Sequence, residues 1–248
     1  MGLTAAAWRG ASAALLWLGV AEAGPADERR FDDLVVRMEE RGKEIRDYTC
    51  VMTKRERIGE ELRPMETMFV KHRGPGVCLY MKWIAPPHEG REIVYCEGKY
   101  GGELQAHDGS GWTSWLTVSI DPKGSLAMRD SRRPVTEAGI FNTIRLVGEG
   151  FARGRRGGGG SLERVFDAEI HDRPATCAVA RPDADEQGSG EPIGTIELCI
   201  DRELHLPALV RVRDLGERLL GEYGYRDYRL NVGLTDRDFD IENEDYDF

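Results

Sequence analysis

Residues Val77-Cys78-Leu79-Tyr80-Met81-Lys82-Trp83-Ile84 decide the architecture of this chain. Period-two alternation puts Val77, Leu79, Met81 and Trp83 on one face of a strand. Cys78, Tyr80 and Ile84 fall on the other, interrupted only by Lys82. A strand with one solvated face alternates apolar with polar residues. Here both faces ask for cover. The run 63–72 behaves in the same way, with Met65 and Phe69 on one side and Met68 and Val70 on the other. One covering layer is expected to be a helix. The other is expected to be the inside of a closed or half-closed barrel, or a second sheet.

Outward from this stretch, the segments 48–57, 91–96 and 103–107 also read as strands. Gly59, Arg73-Gly74-Pro75-Gly76, the turn from Pro86 to Gly90, and Gly101-Gly102 separate the strands of this set. Turns this short and this rich in Gly and Pro make antiparallel hairpins, not crossover connections. A second set covers 162–170, 174–181, 193–201, 208–214 and 219–231. Between the sets, Asp121-Pro122 ends a strand, and Ile140, Ile144 and Val147 predict a short helix over 137–148. The Gly-rich stretch 153–161 and the acidic stretch 182–192 read as loops. Before the first strand, Phe31, Leu34, Val35, Met38 and Ile45 recur at helical spacing, predicting an amphipathic helix over 28–46 that Gly42 weakens near its end. Such a helix is marginal alone and needs a surface to cover. The expected fold is therefore mainly β with flanking helices, a single antiparallel sheet that curls to manage its edges.

The 248 residues are 40% hydrophobic and 31% charged, which suits one good core, or at most two small domains. Thirty-four Lys and Arg against forty-four Asp and Glu leave a charge of -10, and no basic face recommends a nucleic-acid partner. Arg9, the apolar stretch Gly10 to Val20 and the small residues of Ala21-Glu22-Ala23 form a secretory signal pattern. The stretch is shorter than the roughly 20 residues needed to cross a bilayer. Residues 1–23 are thus expected to be a removed signal peptide and 24–248 a single domain that spans no membrane, exported to the periplasm or cell envelope.

Five cysteines lie in five separate strands. Pairing 77–84 with 91–96 about Pro87 sets Cys78 opposite Cys96, and pairing 174–181 with 193–201 about Gly188 sets Cys177 opposite Cys199. The same arithmetic leaves Cys50 opposite Val70. Opposed residues sit at about 4.5–5.5 Å between Cβ atoms, wider than a relaxed disulfide. Either two strained bridges or two pairs of small buried hydrophobes satisfy the spacing. The five histidines have no ligand spacing, and no metal or cofactor is expected. No nucleophile elbow, paired zinc histidines or phosphate loop occurs, and Asp108-Gly109-Ser110-Gly111-Trp112 offers a serine without an assignable base. No enzymatic activity is expected.

The runs Tyr48-Thr-Cys-Val-Met-Thr-Lys-Arg-Glu-Arg, Gly-Arg-Glu-Ile-Val-Tyr at 90–95, Ser-Arg-Arg-Pro-Val-Thr-Glu-Ala-Gly-Ile at 131–140 and Asn231-Val-Gly-Leu-Thr-Asp-Arg-Asp-Phe-Asp resemble an uncharacterised family of exported bacterial proteins, common in planctomycete-like bacteria. More distantly, the leading helix, the first strand opening with Tyr48 and the closing Asn231, Asp238 and Phe239 resemble the lipoprotein carrier LolA and the envelope-stress regulator RseB. This resemblance implies an unclosed antiparallel barrel over helices, enclosing an apolar cavity for acyl chains. It implies an exported binding or carrier module for lipid or lipoprotein acyl groups, or else an envelope sensor or scaffold acting through protein contacts. The wall candidates are Met65, Phe69, Leu79, Met81 and Trp83. The rim or loop-clamp candidates are Arg91, Glu92, Arg132 and Arg133, the arginines suited to forked contacts with anionic groups or with acidic strand ends. Whether the interior is hollow or packed solid, the periodicity leaves open.

Overall fold

Alternate residues of strand β3 (Glu66–Arg73) are buried, namely Glu66, Met68, Val70 and His72, and this rhythm organises the molecule. A computed structural model describes residues 23–74, 76–109, 116–154, 160–182 and 192–248. The signal pattern up to residue 22, residues 110–112 of the serine turn, and most of the two expected loops lie outside the described residues. In chain order the strands are β1 (Asp47–Ile58), β2 (Glu61–Leu62), β3, β4 (Cys78–Trp83), β5 (Glu92–Cys96), β6 (Leu104–His107) and β7 (Thr117–Ile120). They continue as β8 (Ser161–Ile170), β9 (Arg173–Arg181), β10 (Ile193–Asp201), β11 (Pro207–Asp214) and β12 (Leu219–Leu230). Helix α1 (Pro25–Glu44) precedes them and helix α2 (Ile140–Gly154) divides them.

All pair antiparallel in one sheet, in the order β7-β6-β5-β4-β3-β1-β12-β11-β10-β9-β8, with β2 paired to β1 at the side. The chain's first and last long strands thus form the middle of the sheet, and β7 and β8 are its outermost strands among the described residues. This is an open sheet that does not close on itself. Met68 lies opposite Trp83, Val70 opposite Met81, and Met81 opposite Ile93, so register carries one face of β3 across β4 and β5. That inner face packs against α1 and α2 in a core built around Val35, Met38, Tyr48, Leu79, Ile140 and Ile200.

Three expectations are corrected here. The second apolar face of β3–β5 is covered neither by a barrel interior nor by another sheet, but by the C-terminal segment 234–248. Phe239 is fully buried against Tyr80, Val94 and Cys96, and Tyr246 stacks on Tyr80 at 4.0 Å between ring centres. The first helix begins at Pro25, where proline suits the first helical turn, and Asp27 accepts a hydrogen bond from the Gly24 N–H. It runs through Gly42 to Glu44, and a Cβ at Gly42 would lie 3.1 Å from Ile144 of α2, so the glycine lets the two helices approach. The second helix starts at Ile140, not 137, because a separate 3-10 turn holds Val135–Glu137 and Gly139 adopts φ +90. A Cβ at Gly139 would lie 2.4 Å from His72 Nδ1.

Candidate functional site

Between the inner face of the sheet and the two helices lies a cavity of about 1010 Å³. Its wall repeats the period of two, strand by strand. Met52, Met68, Met81, Trp83, Ile93, Leu104 and Ala106 come from one arm of the sheet. Ala178, Ala180, Ile196, Leu198, Val210, Val212, Tyr223 and Tyr225 come from the other. Phe31 and Val35 of α1, and Leu146, Val147 and Phe151 of α2, supply the helical side. Such a lining gives water few partners and favours an apolar occupant.

One part of the wall is polar. The Trp83 indole N–H donates to Glu66 Oε2 at 2.6 Å, and the Tyr223 hydroxyl donates to Glu56. The Arg132 backbone N–H donates to the other oxygen of Glu56 at 3.0 Å. Lys54 Nζ lies 3.6 Å from Glu56 and 3.4 Å from Glu66, so one ammonium serves two nearly buried carboxylates. Burial, followed by the neighbouring Glu56 charge, pushes the Tyr223 hydroxyl well above its ordinary range and keeps it a donor. Burial and then Arg91 lower the pKa of His88, which also lines the cavity.

The candidates from the sequence scatter across this geometry. Met81 and Trp83 line the cavity, while Leu79 shares their face but is fully buried in the core beside it. Phe69 is corrected: it pairs with Lys82 and packs under the C-terminal segment, on the opposite face from Met81. Met65 is corrected with it, since β3 begins only at Glu66 and Met65 is not among the lining residues. Met68, one residue from Phe69, takes that place.

Arg91 lies at the cavity, its guanidinium over the Trp83 ring at 5.7 Å and 2.7 Å from Asp108. Glu92, the next residue, points the other way and is fully buried, 2.6 Å from Lys82 Nζ, whose pKa it raises. It is therefore not a rim residue. Arg132 donates to the Arg57 carbonyl at 3.2 Å and so fastens the segment 131–139 to β1. Arg133 lines the cavity and pairs with Glu137 at 3.1 Å. Sequence reasoning missed Lys54, Glu56 and Glu66. Their signal was available as charged residues at strand positions that share a face with Met52 and Met68.

Both cysteine pairs are bonded, Cys78 to Cys96 and Cys177 to Cys199, in the registers that hairpin arithmetic gave. Cys50, opposite Val70, is a buried free thiol whose pKa burial raises. Among the described residues, Cys177, Glu197 and Cys199 come together as potential metal ligands, but the bridge occupies both sulfurs.

No curated protein matches the chain in sequence. Solved structures with a similar fold include the Pseudomonas aeruginosa MucA/MucB complex, at 15% identity and TM-score 0.46 over 84% of this chain and 59% of that one. The Mycobacterium tuberculosis lipoprotein LppX is 10% identical, with a TM-score of 0.46 over 82% of this chain and 98% of that one. A LolA superfamily protein from Nitrosomonas europaea is 12% identical, with a TM-score of 0.33 over 83% and 97%. These likenesses concern the fold alone. No helix among the described residues is long and apolar enough to cross a membrane. A family profile matches residues 45–248, from the end of α1 to the last residue, and the chain belongs to that family, described as "Protein of unknown function (DUF1571)".

Proposed function

We propose that this chain is an exported, non-catalytic binding module whose cavity receives an apolar chain, such as the acyl group of a lipid or lipoprotein. One observation carries the reading: a hollow of about 1010 Å³ walled by apolar side chains from both arms of the sheet and both helices. That volume reaches the upper end of small-molecule pockets, roughly 300–1,000 Å³. Moving a chain of about fourteen methylenes from water into it gains on the order of 11 kcal/mol, at about 0.8 kcal/mol each. The polar wall at Lys54, Glu56 and Glu66 would meet the polar end of such a molecule. Two disulfides support export, since they persist in oxidising compartments. In this reading residues 1–23 are a cleaved signal peptide, and 24–248 work as one domain in the periplasm or cell envelope.

A second reading is an envelope sensor or scaffold that acts through protein contacts. Exposed Leu126 and Leu215 favour it, as apolar surface that a partner could cover. Native mass spectrometry and titration with a fluorescent fatty acid separate the two. A co-purified lipid mass and saturable probe uptake are expected. Ala180→Trp, which places an indole in the hollow, is expected to weaken uptake about tenfold or more, or 1.4 kcal/mol, with melting temperature unchanged. A chain that carries no lipid and takes up no probe overturns the carrier reading.

A further inference from the structure

We propose that the mouth of the cavity docks on an anionic lipid bilayer; the proposal rests on reading the cavity as an acyl-chain site. Eight large apolar side chains are exposed among the described residues, and four of them, Leu116, Val118, Leu126 and Leu146, also line the cavity. A side chain that is both exposed and lining marks the opening. Leu126 is the most exposed of the four, at 56%. They come from the outermost strand β7 and the residue before it, from the segment leading to α2, and from α2 itself. An opening fringed by apolar side chains on three separate elements is the surface a protein inserts among lipid headgroups.

Charge selects the kind of bilayer. The segment 116–154, which supplies all four side chains, carries six Lys and Arg against four Asp and Glu, a balance of +2. The whole chain carries -10, so the remainder carries -12. An anionic surface therefore attracts this segment and repels the rest, which turns the mouth toward the lipid. Arg129, Arg133 and Arg145 are exposed there, paired with Asp130, Glu137 and Glu149 on their own elements. Each guanidinium has five N–H donors, more than its one carboxylate neighbour uses, and forked donors suit phosphate as well as carboxylate.

The test is flotation of residues 24–248, which hold every described element, with phosphatidylglycerol-containing vesicles and with pure phosphatidylcholine vesicles. The chain is expected to float with the anionic vesicles, less so at high salt, and to stay behind with the zwitterionic ones. Leu126→Asp with Leu146→Asp is expected to reduce flotation about tenfold, whereas Val36→Asp with Leu215→Asp, exposed residues away from the cavity lining, leaves it unchanged. Flotation that ignores the anionic lipid, or survives the Leu126 and Leu146 changes, overturns the docking surface. Titrating the unmodified chain with a soluble fluorescent fatty acid keeps the two readings apart. Uptake without flotation overturns docking and leaves the cavity reading standing; flotation without uptake does the reverse.

Discussion

Tyr48 and His72 meet in the core, and their contact ties α2 to the sheet. The Ile140 backbone N–H, at the start of α2, donates to the Tyr48 hydroxyl at 3.0 Å. That hydroxyl also shares a hydrogen bond with His72 Nδ1 at 3.0 Å. Nε2 is buried without a hydrogen-bond partner among the described residues, and burial lowers the His72 pKa to about 4. The native state thus keeps the ring neutral while the unfolded chain takes up a proton near pH 6.5. Stability from this group is complete above about pH 6.5, is lost as the pH falls toward 4, and changes no further below that. Its share of the loss is about 3 kcal/mol. Urea unfolding of the wild type is expected to show this decline between pH 6.5 and 4.5, and His72→Gln is expected to flatten it. An equal slope in both proteins counts against the assignment. At this same scale the sequence misled at Phe69. With Met65 and Phe69 on one side and Met68 and Val70 on the other, both faces look alike, and only the register decides which one meets Met81.

The element with the least local signal is the C-terminal segment. Residues 234–248 contain no strand and no long helix, yet they cover the outer face of β3, β4 and β5. Asp238 reaches Lys71 at 2.8 Å, Asp236 reaches Arg73 at 2.6 Å, and Asp247 reaches Lys82 at 3.0 Å. Acidic residues in the segment thus match a row of cations on the outer face. Phe239 is the anchor, fully buried with the Arg73 guanidinium 5.0 Å from its ring centre. Exposed ion pairs contribute little, so the ring is expected to carry most of the stability. Phe239→Ala is expected to cost about 3–5 kcal/mol in chemical denaturation, and Asp236→Asn under 1 kcal/mol. Comparable losses would place the energy in the charges instead. Helix α1 was legible because its stripe repeats at helical spacing. The start of α2 was not, because the turn at Gly139 answers to His72 and Tyr48, distant in sequence.

Across the whole molecule, the two disulfides occupy matching places in the two arms of the sheet. Counting outward from the central pair of β1 and β12, Cys78–Cys96 joins the third and fourth strands of one arm and Cys177–Cys199 the third and fourth of the other. They close sequence separations of 18 and 22 residues. On the chain-entropy account each contributes about 3 kcal/mol. Denatured, unreduced protein is expected to release one reactive thiol per chain, from Cys50, and five after reduction. Reduction is expected to lower the melting temperature as both arms loosen. Three or five thiols before reduction would remove one bridge or both.

The sequence by itself determined the long strands, the hairpin registers and hence which cysteines face each other, because each depends on alternation and turn residues within a few dozen positions. It also determined that β3 and β4 need cover on both sides. A helix as one covering layer was legible as well; only the tertiary structure decided that an acidic C-terminal segment covers the outside, that a second helix joins the first inside, and that the helices stand off far enough to leave a hollow. The direction and extent of curl are summed over every strand pair and the helices that brace them. No single stretch of residues encodes that sum.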